Sequence, residues 1–200
     1  TYDASMEKIA SLKADAENYK SQCNAQQQQK INDLISRLES ETLNPSDNDK
    51  DVLANTTTTQ NADEKSNIYT VLEERCNQVL DAERKEFEQI QEAQQADDDL
   101  KAAVAKVYVA LTTYDASMEK IASLKADAEK YKPQCKGAQE QKITNLISRL
   151  DRETLNPSAN DMVVLTKQTT TQNAEAQSKI YTDLACLLYT SDAADDLGRV

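Results

Sequence analysis

Asp47, Asp49 and Asp51 alternate along the chain as acidic residues do at the start of a calcium loop. Hard cations take such carboxylate oxygens, but the loop also needs a central glycine for its sharp turn and a closing glutamate. Both are missing here. Helix capping and a solvated loop account for these aspartates better. Asp97, Asp98 and Asp99 read in the same way, as the start of a helix. The chain has no histidine, which removes the commonest general base and the commonest metal ligand. Its glycines are Gly137 and Gly198, so it has no glycine-rich phosphate loop and no nucleophile elbow. No catalytic residue, cofactor-binding residue or metal ligand is assigned, and the chain is expected not to be an enzyme.

The arrangement that must position any site is a sequence match within the chain. Residues 1–72 align without a gap on residues 113–184, at an offset of 112, with 51 of 72 positions identical. Near-identical copies in tandem are the mark of an array of helical or other repeats. The expected division is a first copy at 1–112, a truncated second copy at 113–185, and a non-native tail at 186–200. An offset of 112 is sixteen heptads, so an apolar seam would keep its phase from copy to copy.

Apolar periodicity supplies the elements. Tyr2, Ile9, Ala16 and Cys23 recur every seven residues, and Ile31, Leu34, Ile35 and Leu38 continue the stripe. This predicts one helix to about Glu41, ended by Pro45. Residues 47–60 read as a long loop, in which Val52-Leu53 allow a short helical turn. A second helix is expected from Asn61 or Ala62, with Asp63 and Glu64 at its positive end. A third is expected from about residue 98 to 153. Its seam is Leu100, Val104, Val107, Leu111, Tyr114, Met118 and Ile121, with a possible kink at Pro133.

Composition agrees with helices and a thin seam. Leu, Ile, Val and Phe make up fewer than one residue in five, there is no Trp, and Ala, Gln, Lys and Glu abound. The net charge of −12 opposes phosphate backbones and no basic stripe is present, so nucleic acid is not expected as a partner. No apolar run is long enough for a membrane span. In length and helicity the period is similar to the spectrin-type three-helix repeat. That family's first-helix tryptophan has no counterpart here, and residues 1–185 are assigned to no family.

Folding the chain back at residues 42–60 places Cys23 and Cys76 at nearly the same height. The expectation is a Cys23–Cys76 disulfide, adding at most roughly 4 kcal/mol by closing the loop. The other reading is two reduced seam cysteines. Asn55-Thr56-Thr57 is an N-glycosylation sequon in the expected loop. Disulfide and sequon together point to a secreted protein, the alternative being a cytoplasmic one.

The match between copies stops at Leu184. From Cys186 the chain reads CLLYTSDAADDLGRV, which resembles a translated transposase-type sequencing adapter and is set aside as non-native. The overall expectation is an all-α chain of elongated antiparallel helical hairpins, or coiled coil, in a tandem 112-residue repeat array. It would be a structural or interaction protein that binds protein partners, or itself, through helix faces. An intracellular coiled-coil scaffold and a helical lipid or small-ligand carrier are the alternatives.

Overall fold

The computed structural model describes residues 1–40, 43–151 and 156–196, with side chains to residue 187. Every regular element among them is helical. The helices are α1 (Tyr2–Lys20), α2 (Ala25–Leu38), α3 (Asp47–Ala54), α4 (Ala62–Tyr131), α5 (Ala138–Leu150), α6 (Ala159–Leu165) and α7 (Ala174–Asp196). The chain divides into two compact units, Thr1–Asp97 and Asp98–Val200. Helix α4 supplies residues 62–97 to the first and 98–131 to the second.

In the first unit the helix expected to run unbroken to Glu41 is two helices. The break falls at Ser21–Asn24, where no Gly or Pro marks it. Asn24 makes a capping box: its side chain accepts from the Gln27 backbone N–H at 3.1 Å, and Gln27 Oε1 accepts from the Asn24 N–H at 3.2 Å. That exchange satisfies donors that would otherwise be orphaned at a new helix start. The chain then reverses, and α2 runs back along α1. Lys13 of α1 pairs with Glu39, just past the end of α2. Helix α2 ends at Leu38; the expected end at Glu41 lies outside the described residues.

Helix α4 then runs parallel to α1. Thr1 meets Glu73, Ser5 Oγ donates to Asn77 Oδ1, Tyr19 packs edge-on against Phe87, and the Asn24 N–H also donates to Gln94 Oε1. The partner of each residue lies some seventy positions later, and this steady register shows two helices running in the same direction. Helix α2 is thus antiparallel to both neighbours. Ile9, Leu12 and Ala16 of α1, Ile31, Leu34 and Leu38 of α2, and Cys76, Leu80, Phe87 and Ile90 of α4 form one buried core. The spacings of three, four and seven put each set on one helical stripe.

The segment 47–60, expected as a loop, contains α3. Ser46 and Asp49 form its capping box. Helix α4 starts at Ala62 as expected, but it continues through Asp97, Asp98 and Asp99, where a new helix had been expected to begin. An aspartate caps only where the backbone leaves the helix; here Asp98 instead pairs with Lys101 one turn on, at 3.2 Å. No Gly or Pro lies between Ala62 and Tyr131 to stop the helix.

In the second unit Pro133 does more than kink a helix. Helix α4 ends at Tyr131, a 3₁₀ turn covers Lys132–Gln134, and α5 starts after Gly137 at φ +59°. The left-handed value suits a residue without Cβ. The helix expected from 98 to 153 is therefore two, and its expected end at residue 153 lies outside the described residues. Tyr114, Leu184 and Ala185 form the buried centre, with Leu111, Met118, Ile121, Ile180 and Tyr181 packed around it. The expected seam holds only over this stretch: Leu100 and Val104 are exposed, at 39% and 47%.

Candidate functional site

The cysteine pairing is corrected first. Cys23 and Cys76 are both buried in the first core, and they form no disulfide with each other. Cys23 Sγ approaches the Tyr19 carbonyl at 3.7 Å, and Cys76 Sγ approaches Met6 Sδ at 3.5 Å. Cys23 adjoins Asn24, which is held by Gln94. Eighteen helical residues separate Cys76 from Gln94, about 27 Å of rise. A disulfide needs Cα atoms within about 7 Å. Matching their heights assumed one long hairpin; the reversal at Ser21–Asn24 puts the two thiols at opposite ends of the core. Burial pushes the Cys76 thiol up from its ordinary 9.0.

The acidic residues behave as structure. Asp47 pairs with Lys50 at 2.8 Å and Asp49 serves the Ser46 capping box. Among the described residues no group of His, Cys, Asp and Glu could hold a metal ion. Asn55 is exposed at the end of α3. No helix is long and apolar enough to cross a membrane among the described residues.

Two polar clusters escaped the sequence reading. In the first, Arg37 of α2 grips α4: Nε donates to Glu83 Oε1 at 2.8 Å, and Nη2 donates to Glu83 Oε2 at 2.7 Å and Glu86 Oε2 at 2.5 Å. Glu83 is buried and the guanidinium closes over it. The hydrogen bonds to Glu83 push Arg37 above its ordinary value, so it stays charged at any ordinary pH. Such a bidentate pair fixes the register of α2 on α4. No sequence signal joins residues 46 positions apart, which is why the cluster was not foreseen.

In the second, Lys65 of α4 is buried and donates to the Leu53 carbonyl at 3.0 Å, to the Asn55 carbonyl, and to Thr57 Oγ1 at 3.3 Å. It ties the segment after α3 to the start of α4. The aligned residue Gln177 does the same in the second unit. It donates to the Val164 and Lys167 carbonyls at 3.0 and 2.9 Å and accepts from Thr169 Oγ1 at 2.9 Å. Lys65→Gln is therefore expected to change stability by less than about 1 kcal/mol, whereas Lys65→Met should cost about 2 kcal/mol. Urea unfolding followed by circular dichroism measures both; equal losses would show that the hydrogen bonds contribute nothing.

Among the described residues, one groove of about 620 Å³ lies where α1 and α4 run side by side. Leu12, Tyr19 and Phe87 line it together with the polar residues Lys8, Asp15, Arg84 and Glu88. Tyr19 and Phe87 meet edge-to-face, ring centroids 5.7 Å apart at 90°. Ser11, Asn18, Gln22 and Gln91 complete its lining.

No known family model, curated protein or solved structure matches the chain.

Proposed function

We propose that the chain is a non-enzymatic structural or interaction protein, a tandem array of 112-residue helical repeats whose helices associate in coiled-coil fashion. One observation carries the reading: aligned residues do the same work in both units. Tyr2 packs on Tyr69 at 6.0 Å and 39°, and Tyr114 on Tyr181 at 5.8 Å and 38°. The ion pair Lys13–Glu39 has its counterpart in Lys125–Asp151, and the Ser46–Asp49 capping box in Ser158–Asp161. Selection on a single active site would not require the same packing twice. Repetition serves a spacer or a multivalent binding surface, where valency raises avidity without new contacts.

The exposed Asn55 sequon supports an extracellular setting. Cys23 and Cys76, buried at opposite ends of one core, favour the second reading, a helical scaffold in a reducing compartment. Polypeptides with one, two and three copies of residues 1–112 test the array. Nearest-neighbour coupling is expected to raise the unfolding midpoint with each copy, as in other repeat proteins. A midpoint independent of copy number would mean separate domains on a string and would end the array reading.

A further inference from the structure

The groove between α1 and α4 carries charges in a definite order. Lys8 and Asp15 line it from α1, and Arg84 and Glu88 line it from α4. All four residues are exposed. None of them has an ion-pair partner among the described residues. On each helix the cation comes first: Lys8 precedes Asp15, and Arg84 precedes Glu88. The separations are about 10 Å on α1 and about 6 Å on α4, from the helical rise. The contacts Thr1–Glu73 and Ser5–Asn77 set the two helices parallel. Both charge gradients therefore point the same way along the groove, positive toward the N-terminal end of each helix. Leu12 and Phe87 are buried beneath the charges, and Tyr19 is half-buried beside them.

We propose that this groove seats a second copy of the chain, with α1 antiparallel to α1 and α4 antiparallel to α4, about a twofold axis that crosses the groove between Lys8 and Asp15. This rests on the reading of the chain as an interaction protein and names the partner as the chain itself. A twofold interface presents the same patch from both sides, so the patch must complement itself. A groove that is positive at one end and negative at the other does so when its copy is reversed. Lys8 then meets Asp15 of the second copy, and Arg84 meets its Glu88. The parallel arrangement would bring cation to cation and is disfavoured. An unrelated surface would not require the two helices to carry the same charge order. The net charge of −12 makes two copies repel over most of their surface. These four lining charges are balanced, two cations against two anions, so the copies can meet here. Little apolar area is open in the groove, and the charge order therefore sets the pairing.

The test is sedimentation equilibrium of the full chain, with reductant present so that Cys135 and Cys186 do not cross-link the copies. A concentration-dependent dimer is expected. Lys8→Glu with Arg84→Glu leaves only acidic charges in the groove and should weaken the dimer by roughly tenfold or more. Asp15→Lys with Glu88→Lys leaves only basic ones and should weaken it as much, although it reduces the overall repulsion between copies. Mixing the two double variants should restore association, because an acidic groove then meets a basic one. All four changes in one chain reverse the order and should restore the homodimer. Lys85→Glu, at an exposed position of α4 outside the groove, should change nothing. The substituted residues are exposed, so every variant should keep the circular dichroism of the parent. A chain that stays monomeric up to about 0.1 mM overturns the proposal. So does a dimer indifferent to both double variants, or a mixture that associates no better than its components. If the chain is monomeric while multi-copy polypeptides still gain stability, only this pairing falls and the array reading stands.

Discussion

Leu34→Ala is expected to destabilise the first unit by about 3 kcal/mol, and the aligned change Leu146→Ala to cost the second unit only about 1 kcal/mol. The two leucines occupy matched positions in nearly matched helices, so helix propensity cancels from the comparison. What differs is burial. Leu34 is fully buried among α1, α2 and α4, and truncation there leaves a cavity that the surrounding side chains fill only in part. Leu146 is half-buried, and water can enter the space its truncation leaves. Urea unfolding of each variant, followed by circular dichroism and by a probe placed in each unit, measures the two losses. Equal losses would mean that the second unit is as well packed as the first.

The second large effect is in thiol chemistry. With an aromatic disulfide reagent at neutral pH, Cys186 and then Cys135 should react promptly, being exposed and half-buried. Cys76 has no exposed surface, and burial raises its pKa and so lowers its thiolate fraction. It should react on the order of 10³-fold more slowly, at the rate at which the unit opens. Cys23, 8% exposed at the helix reversal, should fall between. Stopped-flow labelling combined with peptide mapping assigns each phase. Recovery of a Cys23–Cys76 disulfide from the folded chain would contradict the parallel register of α1 and α4, because that register holds the two thiols far apart.

That pair of cysteines shows where sequence reading stopped. The apolar stripe of α1 and α2 was legible: Ile9, Ala16, Cys23, Ile31, Leu34 and Leu38 lie in the core, with Tyr2 and Ile35 packed against it. The break between them was not. Ser21-Gln22-Cys23-Asn24 contains no Gly or Pro, and an Asn four residues past a helical run is as compatible with a helix surface as with a cap. What makes Asn24 a cap is reciprocal bonding with Gln27, reinforced by Gln94 from another helix. The opposite error occurred at Asp97–Asp99. Those residues are good caps, yet an uninterrupted run of helix formers on both sides carries α4 straight through them.

The candidate site divides in the same way. The absence of histidine and of phosphate-binding glycines was plain from composition. The Arg37–Glu83 grip and the Lys65 clamp were not, because each joins residues that nothing in the local pattern connects. In hindsight Lys65 and Gln177 carried a signal. Both are long donors at an aligned position opposite a carbonyl-rich turn, where an exposed helix face would have tolerated any polar residue.

By itself the sequence determined that the described chain is helical, which residues of α1 and α2 face inward, and that two stretches share one pattern. Those properties follow from periodicity and propensity, which act over a few residues. Only the tertiary structure decided the direction of each helix, the separation of Cys23 from Cys76, and the grip of Arg37 on Glu83. These depend on which distant segments pack together. A helical stripe specifies that a face must be covered, but not which helix covers it.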